Sequence, residues 1–323
     1  MNFENKTVLI TGGAGFIGSN IVEELLKTNI KCVRVIDNLS TGFIKNIESF
    51  MTDERLEFIY GDISRIEVCR NIVKGVDMVC HQAALGSVPR SVNDPLTSHL
   101  MNVDGTLNLL VSCRDEGIKR FVYASSSSVY GDEERLPKRE DRIGKPLSPY
   151  AITKKIKELY AKNFSELYGM ECIGLRYFNV FGKRQNPKGV YSAVIPKFIF
   201  NALHNENIVI NGDGSYSRDF TYIDNVVQAN LLALTVENTN LYGDVLNIGN
   251  GGRIYINELV DRIIENIPTF TGEIIYGPNR VGDIPHSNAD ITKAKEELGY
   301  SINITFDEGI LETIKYYRNE SKK

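Results

Sequence analysis

Cysteine and histidine are scarce in this chain, with five and four among 323 residues. The cysteines (Cys32, Cys69, Cys80, Cys113 and Cys172) are scattered, and none forms a CxxC pair. Several lie in apolar, strand-like runs, so they read as small buried hydrophobes in a reducing cytosol, not as a disulfide framework. The histidines lack metal-ligand spacing, which leaves no metal site to assign. No run of about 18 apolar residues occurs, so nothing reads as a membrane span. The opening "MNFENKTVLI" has no basic n-region and runs straight into a strand-like segment, so a cytoplasmic protein is expected. An excess of positive charge is also missing. The net charge of -4 gives no footprint for nucleic acid or an anionic membrane. Tandem repeats and low-complexity tracts are absent.

What the sequence does have is ordinary globular composition, 42% hydrophobic and 24% charged, in a chain long enough for two domains or one large α/β unit. Short β-branched runs alternate with helix-length amphipathic stretches through the first half. The runs are "TVLIT" (7–11), "CVRVID" (32–37), "LEFIYGD" (56–62), "MVCHQAA" (78–84), "RFVYASS" (120–126) and "ECIGLRYFN" (171–179). A helix is expected near Phe16, another over 102–117 and another from Tyr150. Repeated strand–helix units mean a parallel sheet covered on both faces, with ligands beyond the carboxyl ends of the strands. After Asn179 loops rich in Gly, Asn and Arg take over, which reads as a smaller second domain. Part of that chain, about 221–249, returns to the sheet.

Directly after the first strand comes "TGGAGFIG", Thr11 to Gly18, containing Gly13-x-Gly15-x-x-Gly18 and Gly12-x-x-Gly15-x-x-Gly18. Glycines here permit a tight turn and a close backbone approach to a pyrophosphate, whose charge meets the N–H groups of the helix start. Asp37 ends the second strand, 19 residues past Gly18 (37 − 18). A carboxylate there takes both ribose hydroxyls of an adenosine and repels a 2′-phosphate, favouring NAD over NADP. The fold class is therefore α/β, a Rossmann-type doubly wound parallel sheet with a smaller C-terminal α/β substrate domain. Asp62, with Ile63, reads either as an adenine neighbour or as a helix cap.

"SPYAITKK" (148–155) places Tyr150 and Lys154 one turn apart on one helix face, after a Ser-Pro helix entry. A half-buried aromatic covered by a lysine stem would account for the pair. So would a phenol whose proton is meant to leave. A free tyrosine titrates near ~10. An adjacent ammonium, with a nicotinamide cation nearby, is expected to lower that value until Tyr150 serves as a base near neutral pH. Lys154 is expected to hold the nicotinamide ribose as well. "YASSSSVYG" (123–131) puts serines at the end of the fifth strand, either as a plain turn or as a hydroxyl donor shared with the substrate.

With TGxxGxxG, a serine run and YxxxK, the chain resembles the extended short-chain dehydrogenase/reductase family, and within it the nucleotide-sugar epimerases, along essentially its whole length. Further similar stretches are "NVDGT" (102–106), "LRYFNVFG" (175–182), "VIPKF" (194–198), "GDGSYSRDFTYIDN" (212–225) and "RVGDIPHS" (280–287). "AALGSVPRS" (83–91) and "GKPLSPYA" (144–151) make it most similar to UDP-N-acetylglucosamine 4-epimerases.

The resemblance implies NAD as cofactor. It implies a cofactor site of Gly12, Gly15, Phe16, Ile17, Gly18, Asp37, Asn38, Ser40, Gly42, Asp62, Ile63, Ala83, Ala84, Asn102, Tyr150, Lys154 and Tyr177. It implies Tyr150, Lys154 and Ser126 as the catalytic set, with Ser127 and Ser128 as further candidates for the hydroxyl. A UDP-sugar would be held by Ser87, Ser126, Ser127, Ser128, Tyr150 and Asn179, with Arg218 and Arg280 on the diphosphate. Asp283 would hold the uridine ribose, and Val194, Lys197 and Ile210 would surround the uracil. Ser287, where members restricted to glucose and galactose carry tyrosine, would leave room for an N-acetyl group; it reads equally as a helix N-cap. Residues 1–178 with the 221–249 return would bind NAD, and 179–220 with 250–323 would bind the UDP-sugar. A homodimer through the helices over 102–117 and 150–168 is implied too.

The implied reaction is C4 epimerisation of a UDP-hexose, UDP-GlcNAc with UDP-GalNAc, through a transient 4-keto sugar. A 4,6-dehydratase would need carboxylates where Ser127-Ser128-Val129 stands. A UDP-glucose or UDP-glucuronate epimerase, or a catalytically silent NAD-binding protein of the same fold, remain the alternatives.

Overall fold

The computed structural model describes residues 2–189, 192–278 and 284–321. Six strands come first: β1 (Thr7–Thr11), β2 (Cys32–Asp37), β3 (Leu56–Tyr60), β4 (Met78–His81), β5 (Arg120–Ser126) and β6 (Glu171–Tyr177). Then follow β7 (Val180–Phe181), β8 (Ile208–Asn211), β9 (Ser217–Arg218), β10 (Thr221–Tyr222), β11 (Asp244–Ile248), β12 (Ile254–Tyr255) and β13 (Ile274–Gly277). The helices are α1 (Phe16–Leu26), α2 (Ile66–Ile72), α3 (Val88–Asn93), α4 (Pro95–His99), α5 (Gly105–Glu116), α6 (Pro149–Tyr168), α7 (Val194–Leu203), α8 (Ile223–Thr235), α9 (Ile256–Glu265) and α10 (Phe306–Glu320).

Seven strands form one sheet in the order β11-β6-β5-β4-β1-β2-β3. Every neighbouring pair in it is parallel. This is the expected Rossmann-type doubly wound sheet. The chain leaves β1 toward β2 and β3 on one side, then returns to β4 and proceeds toward β5 and β6. Strand order reverses between β1 and β4, which opens a crevice at their carboxyl ends.

Successive residues of a strand face opposite sides of a sheet. Val8 and Ile10 accordingly join one apolar cluster, while Leu9 joins the other with Val79, Phe121 and Leu109. Each such fully buried aliphatic side chain contributes about 1.5–3 kcal/mol. The first cluster does not stop at the sheet. It continues through Phe178 and Phe181 into α7, α9 and α10, with Phe198, Leu259, Ile263 and Ile310. In the later part of the chain α8 packs on α1, and β11 pairs with β6 at the sheet edge.

Helix α6 is set by its ends. Ser148 Oγ accepts from the Ala151 N–H at 3.1 Å, Pro149 occupies the first turn, and Gly169 stops the helix at φ 64°. The helix expected over 102–117 begins differently. A π-helical turn, Leu100–Asp104, precedes α5 and holds Asn102 fully buried. Among the described residues no helix is long and apolar enough to cross a membrane.

Candidate active site

A cavity of about 610 Å³ lies at the carboxyl ends of β1, β2, β4 and β5. Gly12, Gly15, Phe16, Ile17 and Gly18 line it at one place, and Ser126, Tyr150 and Lys154 at another. At Gly12 φ is +69° and a Cβ would stand 2.9 Å from the Ala83 backbone; at Gly18 a Cβ would stand 2.2 Å from the Gly12 carbonyl oxygen. No side chain caps α1 at Gly15, so its first-turn N–H groups face the cavity without a protein acceptor. A turn without Cβ atoms over uncapped amides fits a pyrophosphate.

Asp37 is 8% exposed and lines the same cavity. Burial pushes its carboxyl up, opposed by backbone N–H groups of Leu39, Ala14 and Gly15. Oδ1 accepts from Leu39 at 2.8 Å and Oδ2 from Ala14 at 3.0 Å, which ties the end of β2 to the glycine turn. Asp62 is not the cap of α2, whose N-cap is Arg65. Asp62 Oδ1 accepts from the Ser64 N–H at 2.8 Å in a local turn, and Asp62 also lines the cavity.

Ser126 closes β5 and caps the following 3₁₀ turn, accepting from the Ser128 N–H at 3.2 Å. Tyr150 stands in the first turn of α6, and its N–H donates to Ser91 Oγ at 2.9 Å. Lys154 Nζ lies 5.7 Å from the Tyr150 ring centre and donates to the Ala124 carbonyl at 2.9 Å. Burial pushes Lys154 down to about 8, while Glu158 one turn further pulls it up.

The phenol differs from expectation. Burial raises Tyr150 above an ordinary tyrosine, and a hydrogen bond with Ser126 opposes that rise. The lysine alone does not make the phenol acidic: its ammonium donates to the Ala124 carbonyl, and burial of the phenol outweighs what opposes the rise.

Of the residues expected around the cofactor, all but one line the cavity. Asn102 is the exception. Buried by the π-helical turn, it accepts from Leu85 N–H at 2.7 Å and donates to the Leu85 carbonyl at 3.1 Å and Thr153 Oγ1 at 3.1 Å. It holds the cavity wall and is not part of it. Tyr177 lines the cavity with its hydroxyl tied to Gln82 and Asn230.

A second cavity of about 280 Å³ shares Asn179, Val180 and Ala193 with the first and is also lined by Val194, Lys197 and Arg218. Ser87, Ser127 and Asn179 line the first. Ile210 is corrected. Strand β8 alternates, Ile208 and Ile210 point into the core, and Val209 and Asn211 line the cavity instead. Ser128 is corrected too: it lines neither cavity, and its hydroxyl is buried without a partner. Ser287 likewise lines neither. Its N–H donates to the Ser217 carbonyl at 3.1 Å, and residues 287–291 are not helical, so it is not an N-cap. Arg280 and Asp283 lie outside the described residues.

Sequence reading missed Gln82, Leu85, Met101, Asn186 and Tyr216 as lining residues. They carry no spacing signal, and only the fold brings them together. Among the described residues no group of three or more His, Cys, Asp or Glu is arranged to hold a metal.

Residues 8–249 match the profile of the NAD dependent epimerase/dehydratase family. A putative UDP-glucose 4-epimerase of Methanocaldococcus jannaschii is 41% identical over 317 residues, 98% of this chain and 99% of that protein. Among solved structures, a UDP-N-acetylglucosamine 4-epimerase from Methanobrevibacter ruminantium, in complex with UDP-N-acetylmuramic acid, superposes with TM-score 0.92 at 40% identity, covering 98% of this chain and 99% of the other. A UDP-glucose 4-epimerase from Thermotoga maritima, with UDP-glucose, does so with TM-score 0.91 at 36% identity, again covering 98% and 99%.

Proposed function

The chain belongs to the NAD dependent epimerase/dehydratase family, and on that premise we propose that it inverts C4 of a UDP-hexose, interconverting UDP-GlcNAc and UDP-GalNAc. The observation that carries this reading is one cavity lined both by the Gly12–Gly18 turn and by Ser126, Tyr150 and Lys154.

NAD would be held by the glycine turn and Asp37, and when bound would supply a reversible hydride acceptor for C4 and, in its oxidised form, a positive charge. Tyr150 Oη receives the proton of the sugar 4-OH and gives it back at the end of the cycle. The Ser126 hydroxyl, hydrogen-bonded to that phenol, lies where it can share the transferred proton. Lys154 supplies a fixed cation one turn below. The 4-keto sugar must turn over between the two transfers, so binding has to be strong at the nucleotide and loose at the hexose. Arg218, Asn179 and Lys197 line the second cavity and its junction with the first, a set suited to a diphosphate and a base. The hexose end, near Ser87, Gly86, Ser127 and Asn186, offers small neutral groups.

Among the described lining residues the cations are Lys154, Lys197 and Arg218. Lys154 is committed beside Tyr150, and Arg90 lines neither cavity. Among the described residues no guanidinium lines the hexose end to meet a C6 carboxylate, which favours a neutral hexose over a uronate. Room for an N-acetyl group rests on Ser87 and Gly86, since Ser287 lies away from the cavity. A silent NAD-binding protein would not need Ser126, Tyr150 and Lys154 together.

We also read the unit of 1–178 plus 221–249 as the NAD half, the remainder as the UDP-sugar half, and the assembly as a homodimer working in the cytoplasm. Incubating the purified protein with UDP-GlcNAc, UDP-Glc and UDP-GlcA in parallel tests the substrate. UDP-GalNAc is expected to form fastest. Faster conversion of UDP-GlcA would overturn the neutral-hexose reading.

A further inference from the structure

The chemistry above leaves unused a buried ion pair directly behind the strand end that carries Ser126. Glu158 lies one turn beyond Lys154 on α6 and is 5% exposed. Its Oε1 accepts from Ser125 Oγ at 2.6 Å and from Arg176 Nε at 2.8 Å. Its Oε2 accepts from Arg176 Nη2 at 2.9 Å and Lys155 Nζ at 3.3 Å. Arg176, 1% exposed on β6, is fixed in turn: its Nη1 donates to the Tyr130 hydroxyl and the Glu140 carbonyl, each at 3.1 Å. Two charge-assisted bonds from one guanidinium leave the carboxylate little freedom. Ser125 sits between Ala124, whose carbonyl takes the Lys154 ammonium, and Ser126, whose hydroxyl meets the phenol.

We propose that Glu158 is a positioning residue for the proton transfer at Tyr150: it grips the Ser125 hydroxyl and so fixes the end of β5 that presents Ser126 to the phenol and the Ala124 carbonyl to Lys154. The proposal rests on the epimerase reading above. Strand β4 pairs with β5 only as far as Tyr123, so Ala124 to Ser126 are paired on the β6 side alone, and the Ser125–Glu158 bond is their side-chain tie to α6. A misplacement of about 1 Å at a reacting group costs on the order of a hundredfold in rate.

The same carboxylate is also an electrostatic partner. The charged and titratable groups facing Lys154 are Tyr150, Lys157 and Glu158 on its own helix, His81 on β4, and Arg176 on β6 behind Glu158. From β5 it meets only the Ala124 carbonyl. Lys157 is 1% exposed with Nζ 3.0 Å from His81 Nε2, and burial with the nearby Lys154 pushes it well below an ordinary lysine. Burial also keeps His81 neutral. Glu158 is thus the one group in this set whose negative charge favours the ammonium form of Lys154.

Two variants separate the grip from the charge. Ser125→Ala removes the hydroxyl and leaves the Glu158–Arg176 pair intact. Glu158→Gln keeps the side-chain shape and removes the charge. With UDP-GlcNAc as probe, both are expected to keep bound NAD and KM while kcat falls about ten- to a hundredfold. Ser125→Ala leaves the pH profile in place. Glu158→Gln moves its alkaline limb down by about one unit, since Lys154 loses its favourable charge. Should Glu158→Gln fail to fold, the kcat-against-KM split in Ser125→Ala decides alone. Wild-type kcat in Ser125→Ala overturns the proposal. So does a loss explained wholly by lower cofactor content, which would make Glu158 a fold-holding residue only. If the wild-type protein itself turns over no UDP-hexose, the epimerase reading fails and this test is not the cause.

Discussion

Lys154 carries an ammonium into a position only 3% exposed, where burial brings it down to about 8 and Glu158 opposes the fall. Tyr150 is moved the other way, upward, by burial. Below about pH 8 the lysine is charged and supports a phenolate; above it that support is lost. We therefore expect kcat/KM for a UDP-hexose to fall as pH rises through about 8. A Lys154→Met variant should be slow at every pH. A plateau in the wild-type profile reaching well beyond that limb would contradict the assignment of Lys154 as the supporting cation. The spacing of Tyr150 and Lys154 was legible in the sequence, because i and i+4 share a helix face wherever a helix forms. The direction of the tyrosine shift was not, since it depends on burial of the phenol in the folded chain. Glu158 and Arg176 were missed for a related reason: a charge on an amphipathic helix reads as solvated surface. A usable signal did exist in "ECIGLRYFN", where one arginine interrupts a strand buried from Cys172 to Tyr177 and so requires a buried partner.

Among the elements, the turn from β1 into α1 was legible in the sequence because its requirement is purely steric. A methyl group at Gly18 would lie 2.2 Å from the Gly12 carbonyl oxygen, in a helix whose start must stay open to an anion. Gly18→Ala is expected to lower stability by about 1–3 kcal/mol through overpacking and to yield protein purified without NAD. Absorbance of the denatured supernatant measures the cofactor, and a full complement of NAD in the variant would contradict the cradle. Strand β8 shows where reading by resemblance fails. Period-two alternation places Ile210 inside and Val209 and Asn211 toward the cavity, and a shift of one position exchanges the faces. Asn102 was misplaced because a π-helical turn, invisible to a 3.6-residue periodicity, rotates it away from the cavity.

For the whole molecule, the doubly wound parallel sheet was legible in the alternating strand and helix patterns, whereas its strand order was not. Nor were the later loops, because short pairs such as β9 with β12 depend on partners far apart in the chain. The homodimer proposed above would form through the helices over 102–117 and 150–168; on the latter, Ile152 is 47% and Leu159 57% exposed, apolar surface that a second copy would cover. Sedimentation should show a dimer that Leu159→Glu converts to monomer with the fold retained; a monomeric wild type would remove this reading. The account as a whole turns on a phenol that exchanges a proton with a sugar hydroxyl inside the glycine-turn cavity. Its most direct test compares wild type and Tyr150→Phe, each assayed for bound NAD and for UDP-GalNAc formed from UDP-GlcNAc without added cofactor. The account predicts equal NAD in both, with turnover lower by about 10²–10⁴-fold in the variant. Equal turnover in the two proteins would contradict it.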